Sequence, residues 1–540
     1  MELNLKNLEE IAASLPQVSV PGFDVSTMQA EGQRHPRWIH IGPGNLFRCF
    51  PARIAADLLE RGENWPITAV APRDLEDMEF QLPHHDLLTM KVTLNPDGTQ
   101  DYRVIAGIAE AIGVGTTADM ERLFQVVRDP GVELISYTVT EKGYGILDGS
   151  GELQAGVLAA MEDSDPKTLE HCQASTMVLS AVLLLERFAA GGTPITMLSF
   201  DNFSHNGDKL RDSVLTIARA WTEAGSAPAG FLDWLEDEAK VAFPITVIDK
   251  ITPRPSPEIA TKLANLGFTD LDVQTPRRTP LAGFVNTEPT EYLIIEDKFA
   301  GSRPAWEDLG VQVVAREVCD DFENMKVTTC LNPLHTALAV SGCLMNFPTI
   351  DAEMRDPALV ALVHELGWKE GLPVVVDPGV VKPEDFLREV LERRFPNRYL
   401  PDNPARIAMD TSQKIPIRFG VTIRKYLETG RDLGTLHAMP LVFALWCRYL
   451  LGVRDDGSPF EPASDPRLTE LSAHVAGISL SGGCDSTAVH EALAPILSDA
   501  SIFGLDLYET PLAEATEQYF QRLIARPGAV RETLDKEYTK

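Results

Sequence analysis

Long apolar runs are missing from this sequence. No stretch approaches the roughly 18 consecutive apolar residues of a membrane-spanning helix, so no membrane partner is expected. The opening, MELNLKNLEEIAASLP, carries acids and lacks the basic-then-apolar layout of a signal peptide. Cysteine is scarce: seven among 540 residues, an odd number, with no CxxC pair and no Cys/His zinc spacing. Reduced thiols, a cytoplasmic location and no metal site are therefore expected. Basic charge is short as well. Lys and Arg number 48 against 79 Asp and Glu, a net charge of −31. That excludes non-specific binding to nucleic acid or an anionic membrane, which needs a basic surface, and it favours solubility. It also means that an anionic substrate needs a locally basic pocket in an acidic protein. No internal repeat or low-complexity tract is visible.

What is present describes a globular chain. Hydrophobic residues make up 44% and charged residues 24%, and 540 residues suffice for two to four domains. After a short helical preface and loop over 1–35, RWIHIGPGNLFRCFPARIAADLLE (37–60) reads as strand, glycine turn and helix. Further strands are expected at 67–71, 133–139, 194–200 and 243–248, with helical patterns between several of them, such as 174–192. Alternation of this kind predicts an α/β fold with a largely parallel sheet, whose ligands bind beyond the carboxyl ends of the strands. After about residue 296 helical patterns dominate, at 333–346, 356–366, 384–394, 437–452, 486–498 and 511–525.

Five segments bear on chemistry. In HIGPGNLF (40–47), Gly42, Pro43, Gly44, Asn45 and Leu46 form a turn between strand and helix, where glycines let backbone approach a pyrophosphate. Phe47 replaces the third glycine of the usual dinucleotide fingerprint, so a plain strand-turn-helix stands beside the binding reading. In APRD, after the second strand, Asp74 suits an adenosine ribose hydroxyl (NAD) and Arg73 a 2′-phosphate (NADP); both stay open. In SFDNFSHNG (199–207), Asn202 alone reads as part of an Asn-rich turn. In LSGGCDSTAVHEAL (480–493), SGGCDS resembles the phosphate loop of ATP pyrophosphatases, which would make the protein an ATP-dependent enzyme. Only 54 residues follow Ser486, too few for the rest of such a sheet, so a Gly-rich turn with Asp485 or Ser486 capping a helix is preferred.

The fifth segment is MKVTTCLNPLHTALAV (325–340). Taken alone, Asn332 is an N-cap, Pro333 opens a helix, His335 is a first-turn residue and Lys326 is exposed.

Seven segments change that. HIGPGNLFR (40–48), YTVTEKGY (137–144), SFDNFSHNG (199–207), VIDKITPRP (247–255), IEDKFAGSRPAWE (295–307), ENMKVTTCLNPLHTALAVSG (323–342) and PDNPARIAMDTSQKIPIRF (401–419) occur in the order found in one family. The sequence resembles the mannitol dehydrogenase family, zinc-independent long-chain polyol dehydrogenases and sugar-acid reductases. The resemblance implies a Rossmann-type dinucleotide-binding domain over 1–296, with 1–35 as an extension. It implies a mostly α-helical substrate domain over 297–540 and an active site in the cleft between the two. It implies Lys326 as the catalytic base, Asn202 and Asn332 as holders of the reacting oxygen, and His335 beside it. Glu323 falls on the proton's route to solvent, and Arg406 and Lys414 on substrate contacts.

One departure stands out. The family places Asn five and His eight residues after the lysine; here the intervals are six and nine. On a straight helix this turns His335 to about 180° from Lys326. A bulge or break at about 329–333, helped by Pro333, is expected to absorb the extra residue.

The resemblance implies an NAD- or NADP-dependent oxidoreductase that interconverts a secondary alcohol and its ketone. A lysine serves as base if burial and the cationic nicotinamide lower its pKa. DTSQKIPIR (410–418) is closer to the sugar-acid branch, and Arg406, Lys414 and Arg418 place three cations within thirteen residues. Guanidinium groups suit a carboxylate. The expected pair is D-mannonate and D-fructuronate, with altronate/tagaturonate and mannitol/fructose as alternatives. Oligomeric state stays open.

Overall fold

The computed structural model describes the whole chain except Asp74, Arg278, Leu400, Pro401, residues 481–484 and Lys540. The chain divides into two compact units, Met1–Cys319 and Asp320–Lys540. Among the described residues, no helix is long and apolar enough to cross a membrane.

The first unit is built on six parallel strands: β1 (Trp38–Ile41), β2 (Ile67–Ala71), β3 (Ile108–Gly113), β4 (Leu134–Tyr137), β5 (Ile195–Ser199) and β6 (Val241–Ala242). Their order across the sheet is 3-2-1-4-5-6. This is the doubly wound arrangement in which the winding reverses between β1 and β4, opening a crevice at their carboxyl ends. Every residue of β1, β2, β4 and β5 is buried. Strands covered on both faces read as continuous apolar runs, which is why these four were legible in the sequence. Helix Thr176–Ala189, buried from Thr176 through Arg187, is one of the covering elements.

The 243–248 segment departs from expectation. The parallel sheet ends at β6, and Pro244, which has no N–H for a ladder, follows. The chain then forms β7 (Thr246–Asp249), antiparallel to β8 (Tyr292–Glu296), and β9 (Gln312–Val314) pairs parallel to β8. Because β9 joins this small sheet, the first unit runs on past residue 296. A third sheet contains Val18–Ser19, Gln100–Ile105, Thr89–Leu94 and Phe284–Thr287. Lys91, Asp101 and Arg103 interrupt its apolar pattern and hide it from a periodicity reading.

Helix α1 (Arg316–Met325) leads into the second unit, which contains α2 (Asn332–Met345), α3 (Thr411–Arg418), α4 (Gly420–Glu428) and α5 (Ala438–Tyr449). All twelve residues of α5 are buried, as its apolar sequence requires. The Glu370 carboxylate receives the N–H groups of His437, Ala438 and Met439 at 2.5, 2.6 and 2.8 Å, closing the amino end of α5. Asp485 caps helix Ser486–Leu497 through the Ala488 N–H at 2.9 Å. The rest of SGGCDS, residues 481–484, lies outside the described residues. No strand follows β9 among the described residues, so no sheet stands behind a phosphate loop there.

Candidate active site

The glycine turn sits at the reversal of the parallel sheet. Gly42 has φ 99°, and a Cβ there would collide with the Thr138 carbonyl at the end of β4. Only glycine meets both demands. Gly44 caps helix Asn45–Cys49, with φ −73°, and a Cβ on it would meet nothing within 4 Å. Backbone beside Gly44 is thus open to a ligand, as a pyrophosphate requires. Pro43 is buried, and Asn45 accepts from Arg48 Nη2 at 2.6 Å while Leu46 packs on the core. Phe47 is fully buried and stacks on His40, centroids 4.1 Å apart, filling the space a third glycine would leave.

His40 braces this turn. Trp38 Nε1 donates to Ser136 Oγ (2.7 Å), which lies 2.7 Å from His40 Nδ1; His40 Nε2 lies 2.9 Å from Thr138 Oγ1, which donates to the Gly42 carbonyl at 2.7 Å. The Thr138 hydroxyl gives its one proton to Gly42, so His40 Nε2 donates to Thr138 Oγ1. Burial, against a backbone contact with Gly42, pushes its pKa down to about 3. Arg73 is exposed two residues beyond β2, and Asp74 lies outside the described residues.

Asn202 is exposed in the turn after β5. Its neighbour Asp201 is buried and accepts from the N–H groups of Val139 (2.8 Å) and Thr140 (3.0 Å) and from the Tyr144 hydroxyl (2.7 Å). Thr140 has φ 62°, a strained conformation for a β-branched residue, which the carboxylate holds in place. Asn206 donates to Asp201 O, Thr246 O and Thr246 Oγ1, and accepts from Thr246 N, all between 2.9 and 3.1 Å. Segments 137–144 and 199–207 and the head of β7 are thereby one hydrogen-bonded assembly.

In the second unit the local reading of 325–340 is corrected. Lys326 is 4% exposed, not at the surface. Asn332 is the first residue of α2 rather than its N-cap; Leu331 precedes it with φ −135° and ψ −62°. Between α1 and α2 lies a π-helical turn, Lys326–Cys330, and the Leu331 N–H reaches back five residues to the Lys326 carbonyl at 3.1 Å. A π turn holds one residue more than an α turn. The extra residue in the Lys326–Asn332 interval is taken up there, slightly before the expected 329–333, and the helix is not straight. Glu323 lies within α1, three residues before the lysine, and is half-buried.

Around the first turn of α2 several expected residues meet. Arg418 Nη1, from the end of α3, lies 3.4 Å from the Asn332 carbonyl and donates to Thr336 Oγ1 at 2.5 Å; Thr336 Oγ1 also donates to Asn332 O at 3.0 Å. Burial lowers the Arg418 pKa to about 10. His335 Nε2 lies 3.4 Å from Asp402 Oδ2, and its ring centroid is 5.2 Å from that of Phe395. Burial lowers the His335 pKa, opposed by Asp402 and assisted by Arg418 and Arg394. Burial acts to raise the Asp402 pKa, but His335 and Arg406 outweigh it and leave the carboxyl below its ordinary value. Arg406 is exposed and ion-paired to Asp402. Lys414 donates to the carbonyls of Ile407 (3.2 Å) and Met409. Burial, then Arg418, pulls its pKa down to about 8. Asn202 and the glycine turn belong to the first unit, the rest to the second.

Two neighbours of these residues escaped the sequence reading. Asp402 joins His335 to Arg406; its four-residue spacing from Arg406 was the available signal. Thr422 of α4, whose hydroxyl reaches the Thr328 carbonyl at 3.1 Å, left no signal. Among the described residues, no three His, Cys, Asp or Glu side chains stand together as a metal-ligand set.

The family models described as the mannitol dehydrogenase Rossmann domain and the mannitol dehydrogenase C-terminal domain match residues 36–308 and 319–524. The chain is 44% identical to a D-mannonate oxidoreductase from Thermotoga maritima, with 99% of each chain covered. It is 31% identical to a mannitol 2-dehydrogenase from Cereibacter sphaeroides, covering 81% of this chain and 85% of that one. Among solved structures, the ternary complex of Pseudomonas fluorescens mannitol 2-dehydrogenase with NAD and D-mannitol aligns over 99% of both chains, at TM-score 0.69 and 27% identity. With matches spanning both compact units, the chain belongs to the mannitol dehydrogenase family of oxidoreductases.

Proposed function

We propose that the protein is an NAD-dependent D-mannonate oxidoreductase (fructuronate reductase), interconverting D-mannonate and D-fructuronate with a lysine base and no metal. The observation that carries the substrate is the 44% identity, end to end, with the Thermotoga maritima D-mannonate oxidoreductase. The cations Arg406, Lys414 and Arg418 near the first turn of α2 support it, because a sugar-acid carboxylate in a chain of net charge −31 needs them. NAD is favoured by the NAD complex of the Pseudomonas fluorescens relative. Gly42 to Leu46 would hold its pyrophosphate, and Arg73 is the residue that would meet a 2′-phosphate if NADP were used.

The dinucleotide, when bound, accepts or returns a hydride at its nicotinamide. Lys326 takes the hydroxyl proton during oxidation and returns it during reduction. Lys326 is buried, at 4% exposure, on the π turn that leads into α2. The amide N–H groups of Asn202 and Asn332 donate to the oxygen as alkoxide charge develops. His335, with Nε2 3.4 Å from Asp402 Oδ2, orients that oxygen. Glu323 passes the proton to solvent.

Oxidation of NADH with D-fructuronate, D-tagaturonate and D-fructose tests the substrate. Fructuronate should be preferred; preference for fructose would move the protein to the mannitol branch, and for tagaturonate to the altronate branch. Lys326→Ala should abolish turnover while NADH still binds. Retained turnover would refute the lysine as base.

A further inference from the structure

The π turn that carries Lys326 has a carbonyl which its own helix cannot satisfy. The i→i+5 register is established by the Leu331 N–H on the Lys326 carbonyl. Continued two residues, that register would pair the Thr328 carbonyl with the N–H of residue 333. Residue 333 is proline and has none. The last i→i+5 bond of the turn is that of the Leu331 N–H. Thr328 is buried, and a buried carbonyl without a donor is costly. Its side chain does not solve the problem, because Thr328 Oγ1 donates back to the Asn324 carbonyl at 2.7 Å. The donor comes from another helix: Thr422 Oγ1 of α4 lies 3.1 Å from the Thr328 carbonyl, and Thr422 is itself buried.

We infer that Thr422 is a positioning residue, whose hydroxyl replaces the hydrogen bond lost to Pro333 and so holds the π turn in the register that places Lys326. The inference rests on the reading of Lys326 as base, but the geometric part stands apart from it. Without the hydroxyl, the carbonyl must seek a donor, and the cheapest change is a shift of the turn toward α register, which rotates Lys326 relative to Asn332 and His335. Displacement of a reacting group by an ångström costs on the order of a hundredfold in rate.

The test uses the full chain with Thr422→Val, which removes the hydroxyl at nearly constant volume, Thr422→Ser, which keeps it, and Thr422→Val combined with Pro333→Ala, which restores an N–H at 333. Thr422→Val should lower kcat by roughly ten- to a hundredfold and move the acid limb of the kcat–pH profile, with NADH affinity unchanged. Thr422→Ser should restore both, and Pro333→Ala should rescue Thr422→Val at least in part. Wild-type kcat and pH profile in Thr422→Val would overturn the inference. So would a Thr422→Ser variant as impaired as Thr422→Val, since packing of the methyl group would then explain the loss. A crystal structure of Thr422→Val with the π turn intact would overturn it too, whatever Lys326 does. Lys326→Ala, run alongside, separates the two claims: retained turnover there sinks the base, while the Thr422→Val structure decides the turn. If Thr422→Val does not fold, the kcat and pH profile of Thr422→Ser decide, and values unlike wild type would refute the role of the hydroxyl.

Discussion

The imidazole Nε2 of His335 faces Oδ2 of Asp402 at 3.4 Å, and the same carboxylate pairs with Arg406. One acid therefore joins the proposed orienting histidine to a proposed substrate cation. Asp402→Asn removes the charge and keeps the shape. Because Asp402 acts to raise the His335 pKa, its loss should lower that pKa further, which a proton NMR titration can read. Turnover should fall by roughly tenfold, as for the loss of a close charge beside the histidine. An unchanged titration would mean that the pair does not couple.

Arg418 touches both Asn332 O and Thr336 Oγ1 through one guanidinium nitrogen, at 3.4 and 2.5 Å. Arg418→Lys retains the charge but not the planar fork. kcat/KM for fructuronate should drop roughly tenfold or more, with most of the loss in KM. A lysine variant with full kcat/KM would show that charge alone suffices at this position.

The two glycines of the turn should fail differently. Gly42→Ala forces a side chain to φ 99° and into the Thr138 carbonyl, so it should destabilise the protein by ~2 kcal/mol or more. Gly44→Ala meets open space and a permissive φ of −73°, so its melting temperature should stay near wild type. Its NAD affinity should nevertheless fall, because the added Cβ would fill the open side of the turn proposed to receive the pyrophosphate. Calorimetric melting and NAD titration of both variants check the contrast.

Glu370 supplies a pH-dependent stability term away from the site. Burial raises its pKa from 4.5 to about 7, against the three N–H groups that cap α5. A carboxyl whose folded pKa is raised stabilises the fold fully below its unfolded pKa and loses that contribution as pH rises through the folded value. Wild type should therefore lose ~3 kcal/mol between pH about 4.5 and 7 relative to Glu370→Gln. Parallel denaturant curves of the two proteins across that range would measure it. Parallel pH dependences would place the Glu370 pKa near its ordinary value.

Much of the framework was legible because it is local. β1, β2, β4 and β5 are buried on both faces and announce themselves as apolar runs, and α2 and α5 as apolar helices. The small sheets were not, because Lys91 and Arg103 break their pattern and β9 has only three residues. The reversal of β7 was also hidden, since partner and direction are set by the distant β8.

At the site, the sequence by itself determined which residue types are present, the extra residue between Lys326 and Asn332, and the missing N–H at Pro333. Counting alone turned His335 away from Lys326. Tertiary structure decided how the count is absorbed, because the Thr328 carbonyl of the π turn takes its donor from another helix. That donor is Thr422, ninety-six residues beyond Lys326 in the chain. Burial of Lys326 and the joining of His335 to Asp402 were decided the same way: both depend on which helices pack around α2, and no interval within one segment encodes that.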